Sequence, residues 1–303
     1  MRASKHRGLA ALVVAVTAVL AVSGVVFARP YTLGLTISTL NNPFFVDLKE
    51  GAEAKAAELG VRLVVLDAQN DPSRQLAGIE DLIAQRVDAL LINPTDSSAI
   101  VPAVLAANRA GIPVLTVDRG ADGGRVASHI ASDNVAGGRM AGELIVRLLG
   151  GRGRVVELVG IPGTSAARDR GAGFNEVIRA NPGIEVVARQ EAGFDRARGL
   201  TVMENILQAQ PRIDAVFAHN DEMALGAITA IEAAGRLREI RVVGFDATDD
   251  AVKAVREGRM VATIAQKPRR MGELAVETAV KLLRGESVPA YIPVPLELVM
   301  RTP

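Results

Sequence analysis

Short runs of apolar, often β-branched residues alternate along the chain with longer stretches whose apolar residues recur at helical spacing. Most of the short runs are apolar throughout, which is typical of strands covered on both faces. The pattern predicts ten strands: Thr32–Ile37, Arg62–Leu66, Ala89–Ile92, Val114–Val117, Ser128–Ser132, Arg154–Gly160, Ile184–Gln190, Ala215–Ala218, Arg241–Phe245 and Val261–Ala265.

The helices between these strands have recognisable ends. Pro43 suits the first turn of one helix, and Gly60 lies where that helix ends. Asp71 and Pro72 begin the next helix in the same way. Because strand and helix alternate repeatedly, we predict an α/β fold with parallel sheets and right-handed crossovers.

The number of strands bears on the domain organisation. The chain has 303 residues, more than one hydrophobic core usually supports. Ten strands also fit two sheets better than one. No Ser-, Gly- or Pro-rich linker interrupts the pattern, as expected if strand crossings form the hinge. We therefore predict two doubly wound sheets, with a single long sheet as the alternative.

The N-terminus differs from the rest of the chain. Arg2, Lys5 and Arg7 give it a positive start, and an uncharged apolar run follows from Gly8 to Ala28. A small residue at the end of such a run is typical of a cleavage site. We predict a secretory signal peptide over residues 1–28, cleaved after Ala28. The alternative is a retained membrane anchor, because the run is long enough to span a bilayer.

Composition and motifs exclude several classes of function. Cysteine is absent, which rules out disulfides, thiolate metal sites and cysteine nucleophiles. The formal charge is +1, and it becomes −2 without residues 1–28. No Lys/Arg-rich run follows the leader, so we expect no nucleic-acid partner. The histidines His6, His129 and His219 lack metal-ligand spacing, so we expect no metal site and no cofactor.

Polar side chains follow several of the predicted strands at their carboxyl ends. Open parallel sheets bind their ligands at this edge. The side chains there are mostly amides, carboxylates and a guanidinium, supplied by Asn41, Asn42, Asp118, Arg119, Asn220, Asp221, Asp246 and Gln266. For each Asp or Asn taken alone, capping of a helix N-terminus is an equally good interpretation.

The aromatic residues sharpen this picture because the chain has so few of them. It contains no Trp, two Tyr and seven Phe. Phe44 and Phe45 are adjacent at the start of a helix on the strand-end side, and Phe194 follows another strand. Rings can cover the C–H faces of a sugar while charged and amide groups bond its hydroxyls. The cluster predicts a sugar site, although core packing would explain each Phe taken alone.

Several motifs resemble the ribose-binding proteins of bacterial ABC importers. The matching stretches are Ser38–Phe45 (STLNNPFF), Leu91–Ser97 (LINPTDS), Ser128–Asn134 (SHIASDN), Gly163–Arg168 (GTSAAR), Asn220–Gly226 (NDEMALG), Val243–Asp246 (VGFD) and Ala262–Gln266 (ATIAQ). The resemblance runs nearly without gaps from about Thr32 to the C-terminus. It implies a type I periplasmic-binding-protein fold with two Rossmann-like lobes joined by three crossings.

The resemblance also implies where the lobes and the site lie. The N-terminal lobe would comprise residues 30–132 plus 265–293, and the C-terminal lobe residues 133–264 plus 294–303. The phenylalanines would sandwich the sugar ring while the polar side chains hold its hydroxyls. The implied ligand-binding residues are Asn42, Phe44, Phe45, Asp118, Arg119, Arg170, Phe194, Asn220, Asp246 and Gln266.

Because all ten positions keep the family's residue types, the resemblance favours D-ribose. It implies a monomeric receptor in the periplasm that closes on the sugar and delivers it to the membrane subunits of an ABC importer. A chemoreceptor stays open as a further partner. His219 departs from the family pattern beside Asn220, and we expect that departure to be neutral.

Three alternatives remain. The first is a receptor for another pentose, a hexose or a furanose-like signal, because fold alone cannot choose the ligand. The second is the effector domain of a sugar-responsive repressor, although a hydrophobic leader stands where such proteins carry a DNA-binding headpiece. The third is a glycosidase, suggested by the carboxylates Asp118 and Asp246. We expect Arg119 and Arg170 to keep both ionised, which is unsuitable for a general acid, so we predict no enzyme activity.

Overall fold

The computed structural model describes residues 29–301. It contains the strands β1 (Thr32–Ile37), β2 (Arg62–Asp67), β3 (Ala89–Ile92), β4 (Val114–Val117), β5 (Ser128–Ala131), β6 (Gly153–Val159), β7 (Ile184–Glu191), β8 (Ala215–Ala218), β9 (Arg241–Asp246), β10 (Ala262–Ala265), β11 (Tyr291–Pro293) and β12 (Glu297–Met300). Its helices are α1 (Pro43–Glu58), α2 (Pro72–Ala84), α3 (Val101–Arg109), α4 (Asn134–Leu148), α5 (Ser165–Ala180), α6 (Arg196–Ala209), α7 (Asp221–Ala233), α8 (Asp249–Arg256) and α9 (Pro268–Leu283). The predicted signal peptide lies outside the described residues.

The strands form two six-stranded sheets, and each sheet organises one lobe. The first lobe has the order β11-β5-β4-β3-β1-β2, and the second has the order β12-β10-β9-β8-β6-β7. The chain crosses between the lobes three times: after β5, after β10 and between β11 and β12. The prediction of a two-lobed α/β fold with parallel sheets is therefore confirmed.

The ten predicted strands are all present, with ends that differ by one residue at most. The pattern missed β11 and β12, which are only three and four residues long. Both are largely exposed and lie beside prolines, so neither carries the apolar run by which the other strands were found. β12 also departs from the parallel arrangement, because it pairs antiparallel with β10 at the edge of the second sheet.

Each sheet is covered by helices on both faces, which explains the continuous apolar runs. All four residues of β3, β4 and β8 are buried. Small residues allow the helices to approach closely: a Cβ on Gly51 of α1 would lie 2.0 Å from the carbonyl oxygen of Arg269 in α9. None of the helices described between Arg29 and Arg301 has the length and apolar character that a membrane crossing requires.

Several helices begin directly after a strand, with a polar side chain as the cap. Asn42, Asp133, Thr164 and Asn220 each accept a hydrogen bond from a backbone N–H in the first turn of the helix that follows. Such caps satisfy N–H groups that have no partner within the helix. These capped N-termini, and the side chains in the first turns of the helices, lie along the edge where the two lobes face each other.

Candidate functional site

A cavity of about 230 Å³ lies between the lobes at the carboxyl ends of the strands. Its walls come from both lobes: Phe44, Phe45, Asp118, Arg119, Ala166, Arg170, Phe194, Asn220, Asp246 and Gln266. Nine of the ten residues predicted from the sequence are in this set, and Ala166 is an addition.

Asn42 is the predicted residue that does not line the cavity. Its Oδ1 accepts a hydrogen bond from the Phe44 N–H at 3.0 Å, so it caps α1 immediately before the two aromatic residues. The rings of Phe44 and Phe45 meet edge to face, with centroids 5.1 Å apart. Asn42 therefore fixes the turn that presents these rings, and its direct contact with a ligand stays a prediction.

Arg119 connects the aromatic walls of the two lobes. Its guanidinium carbon lies 5.1 Å from the centre of the Phe45 ring and 5.2 Å from that of Phe194. A cation at this distance from a ring face is attracted by the electron density of the ring. Arg119 also donates to the carbonyl oxygen of Pro94 at 3.2 Å. The guanidinium is thus held between rings, with donors directed at the cavity.

Arg170 is held from behind by residues that the sequence analysis did not identify. Its guanidinium lies 3.8 Å from the centre of the Phe245 ring. Nε donates to Asn134 Oδ1 at 2.8 Å, and Nη1 donates to the backbone oxygen of His219 at 2.6 Å. Nη1 also lies 3.6 Å from Asp246 Oδ1. Asn134 and Phe245 occur in motifs already noted, but each also has a local explanation, as the first residue of α4 and as a buried residue of β9, and this hid their role.

Three cavity residues other than glycine adopt positive φ angles. The values are 63° for Asp118, 60° for Phe194 and 117° for Asp246. Such conformations are uncommon for residues with a side chain and concentrate at functional sites. Asn93 stabilises one of them, because its Nδ2 donates to Asp118 Oδ2 at 3.2 Å and to the Val117 carbonyl at 3.0 Å. The backbone is held in strained turns that aim these side chains into the cavity.

Comparison with known proteins shows which family the chain belongs to. The model of the periplasmic binding protein domain matches residues 33–287. The chain belongs to the periplasmic binding protein family. This periplasmic binding protein is 55% identical over 291 residues to ribose import binding protein RbsB of Haemophilus influenzae, covering 96% of this chain and 98% of that one. It is 52% identical to ribose import binding protein RbsB of Bacillus subtilis, covering 89% and 87%.

A solved structure agrees with the fold as well. This periplasmic binding protein is similar to an ABC transporter solute binding protein from Bacillus halodurans whose structure contains bound myo-inositol. The TM-score is 0.85 at 36% sequence identity, and the match covers 89% of this chain and 94% of that chain. All three of these relatives are named as binding proteins: two as ribose import binding proteins and one as a solute binding protein.

Burial controls the charge state of the acidic residues in this periplasmic binding protein. It raises the pKa of Asp246 from 3.8 to about 7, although Arg170 acts to lower it. Burial likewise raises the pKa of Asp118 against the opposing effect of Arg119. Arg170 therefore does not keep Asp246 fully ionised at neutral pH, contrary to the expectation for that residue. Desolvation outweighs the ion pairs because the arginine nitrogens lie 3.8 Å from Asp118 and 3.6 Å from Asp246, too far for direct hydrogen bonds.

The same burial acts on the basic side of the site. It lowers the pKa of Arg119 from 12.5 to about 10, and it also lowers the pKa of Arg170. Arginine side chains keep their charge in proteins, and a pKa of about 10 leaves Arg119 charged at neutral pH. The cavity therefore combines two cations with one carboxyl, Asp246, that is incompletely ionised near pH 7 and a second, Asp118, whose pKa is raised.

Three polar atoms at the cavity have no hydrogen-bond partner within residues 29–301. They are Asp118 Oδ1, Arg119 Nε and Gln266 Oε1, and all three are buried. Leaving a buried donor or acceptor unpaired costs about 1–3 kcal/mol. Two acceptors and one donor match the hydroxyls of a polyol or a sugar, which can both donate and accept.

The two described histidines lie outside the cavity lining. His129 in β5 shares a hydrogen bond with Thr116 Oγ1 at 2.8 Å and stacks on Tyr291. His129 therefore has a structural role in the first lobe. His219 is fully buried, and its Nε2 bonds the carboxylate of Glu157 at 3.0 Å. Its backbone oxygen, rather than its ring, faces Arg170.

Proposed function

We propose that this chain is an exported receptor that closes on a monosaccharide, with D-ribose as the preferred ligand, and delivers it to an ABC importer. The observation that carries the proposal is the cavity between the lobes. It combines three phenylalanine rings, two guanidinium groups and three buried polar atoms without a partner. The names of the relatives in Haemophilus influenzae and Bacillus subtilis support ribose in particular.

In the proposed site, the rings of Phe44, Phe45 and Phe194 cover the two faces of the sugar ring. The hydroxyls bond the polar residues, namely Asn42, Asp118, Arg119, Arg170, Asn220, Asp246 and Gln266. Charge-assisted bonds from the arginines contribute most per contact. A hydroxyl that donates to Asp246 also favours its ionised form, which offsets part of the cost of burying the charge.

The proposed mechanism is hinge closure. The site residues are divided between the lobes, so a sugar makes all its contacts only when the lobes are together. The ligand shifts the population toward closure by its greater affinity for that state. We assign residues 30–132 plus 265–293 to one lobe and residues 133–264 plus 294–303 to the other, with the three crossings as the hinge.

Export, partners and the absence of catalysis belong to the same proposal. The predicted signal peptide over residues 1–28 would direct the protein to the periplasm. There the closed monomer would dock on the membrane subunits of the importer. The chain acts as a binding protein and not as an enzyme, because a free monosaccharide offers the two carboxyls no glycosidic bond to cleave.

A second ligand class is favoured by one specific observation. The similar structure from Bacillus halodurans holds myo-inositol, a ring of hydroxyls close in size to a pyranose. Stacking rings and hydroxyl partners would serve either ligand. Discrimination then depends on which hydroxyl positions leave a buried polar group unpaired.

Isothermal titration calorimetry with a panel of pentoses, hexoses and myo-inositol tests the assignment. D-ribose should bind with a Kd in the micromolar range or tighter, which corresponds to about −8 kcal/mol or better. The other sugars should bind at least tenfold more weakly. Tighter binding of myo-inositol or of a hexose than of D-ribose would overturn the choice of ligand, and no binding to any of them would overturn the function.

A further inference from the structure

The two lobes contact each other directly at a place that does not line the sugar cavity. The loop before α5 and the first turn of α5, in the second lobe, meet the loops that follow β3 and β4 in the first lobe. Ser97 N–H donates to the Gly163 carbonyl at 2.9 Å, and Ser165 N–H donates to Ser97 Oγ at 3.0 Å. Gly120 N–H donates to Ser165 Oγ at 2.9 Å. Three hydrogen bonds thus join the lobes directly.

An ion pair extends this contact toward the surface. Arg168 Nη2 of α5 lies 2.7 Å from Asp122 Oδ1, which belongs to the loop after β4. The other carboxylate oxygen of Asp122 accepts from Ser98 Oγ at 2.6 Å. Arg168 Nη1 also donates to the Gly163 carbonyl at 3.1 Å. Because both side chains are about 40% exposed (43% and 39%), the pair is weak and sensitive to salt.

Close approach at one glycine makes the contact selective for the closed arrangement. A Cβ on Gly163 would lie 1.8 Å from Asp96 Oδ2 and 2.8 Å from the Asp96 carboxyl carbon. The carboxylate cannot move away freely, because its Oδ1 accepts from the Ser98 and Ala99 N–H groups at 2.9 and 2.7 Å. The φ angle of Gly163 is not in the left-handed region, so alanine suits its backbone. Only the opposite lobe forbids a side chain there.

We propose that Asp96–Ser98, Gly120, Asp122, Gly163, Ser165 and Arg168 form a latch that sets the affinity for sugar without touching the sugar. The proposal rests on the proposed function, because closure matters only if a ligand is enclosed. The observed affinity of a ligand depends on how readily the binding-competent state forms. The latch contributes to that equilibrium in the same way whichever ligand is bound. Its loss therefore weakens every sugar by one common factor and leaves the selectivity unchanged.

The first variant is Gly163→Ala, which places a methyl group against Asp96 only when the lobes close. We expect the Kd for D-ribose to rise roughly tenfold or more. The Kd for a second, weaker sugar should rise by the same factor. The urea midpoint of the sugar-free protein should not change, since the methyl group is unobstructed in an open cleft. The double variant Gly163→Ala/Asp96→Ala removes the obstructing carboxylate and should bind more tightly than Gly163→Ala alone.

The second variant is Asp122→Ala, which removes the ion pair. Its Kd for D-ribose should rise by about two- to fivefold at low salt and approach the wild-type value at high salt. Glu176→Ala is the matched control, because Glu176 pairs with Arg139 at 2.9 Å with similar exposure but within the second lobe. The control should bind D-ribose as the wild type does.

The outcomes separate the latch from the function. If the wild type binds D-ribose and Gly163→Ala binds it equally well, the latch is wrong and the function stands. If Gly163→Ala changes the ratio of the two Kd values, the methyl group distorts the sugar site and the latch is again wrong. If the wild type binds no sugar of the panel, the proposed function fails and the latch falls with it.

Discussion

The charge on Asp246 leads to a quantitative prediction about stability. Burial raises the pKa of this carboxyl from 3.8 to about 7, although Arg170 acts to lower it. The difference between the two pKa values corresponds to about 4 kcal/mol by which the closed site disfavours the ionised form. The attraction of Arg170 is already contained in that pKa. Removing the charge should therefore stabilise the sugar-free protein, even though it removes one partner of an ion pair.

Asp246→Asn keeps the shape of the side chain and removes its charge. Because the pKa of Asp246 is raised in the folded wild type, protonation of this carboxyl stabilises the fold. That stabilisation is complete below pH 4 and is lost as the pH rises through about 7. The variant lacks this loss. At pH 8 we expect its free energy of unfolding to exceed that of the wild type by up to about 4 kcal/mol. This is the upper limit, because in the open, sugar-free cleft only the burial that the second lobe itself provides to Asp246 persists.

Urea unfolding at pH 5 and pH 8, without sugar, measures the effect. The wild type should lose more stability between the two pH values than Asp246→Asn does, while the variant should bind D-ribose more weakly. Asp81→Asn, at an exposed position of α2, is the control and should keep the wild-type pH dependence. An equal pH dependence of Asp246→Asn and wild type, or a less stable variant at pH 8, would refute the reasoning.

Three further predictions concern the site, the packing and a buried network. Arg170→Ala should lose about 2–5 kcal/mol of D-ribose binding in calorimetry while keeping the wild-type circular dichroism spectrum, and normal binding would mean that the site is wrongly assigned. Gly51→Ala should lower the free energy of unfolding by about 1–3 kcal/mol in urea, because its methyl group would meet the Arg269 carbonyl; an unchanged midpoint would contradict this close packing. Burial acts to raise the pKa of Glu157, but bonds from His219 and two other side chains lower it below 4.5. The stabilising effect of this carboxylate is therefore present above pH 4.5 and lost on acidification. Glu157→Gln should unfold at a lower temperature than the wild type at pH 7, and the difference should shrink toward pH 3. A difference in unfolding temperature that stays constant with pH would contradict this.

The fold and most of the cavity residues could be predicted from local rules, whereas Arg170 was identified only through the resemblance to ribose-binding proteins. A strand covered on both faces must be apolar throughout, as Ala89–Ile92 is, and parallel strands bring their carboxyl ends to one edge. The rule places Asp118 at the edge of the first sheet and Asp246 at the edge of the second, and the apposition of the two lobes then brings them to one cavity. The short, exposed strands β11 and β12 escaped the same rule because little apolar surface is buried there.

What could not be predicted depends on distances between segments far apart in the chain. Nothing in the neighbourhood of Phe245 indicates that its ring stacks on Arg170, and nothing near Asn134 indicates a bond to the same guanidinium. The charge on Asp246 was wrongly predicted because the outcome is a balance. Whether burial or an arginine prevails depends on N–O distances of a few ångströms, and the sequence contains the partners but not the separations.

Closure of two lobes around a sugar is the central claim, and small-angle X-ray scattering tests it most directly. The radius of gyration of residues 29–303 should be measured with and without saturating D-ribose. We expect the sugar to reduce the radius, because the residues that line the cavity come from both lobes. A radius unchanged by a sugar that calorimetry shows to bind would contradict the hinge mechanism.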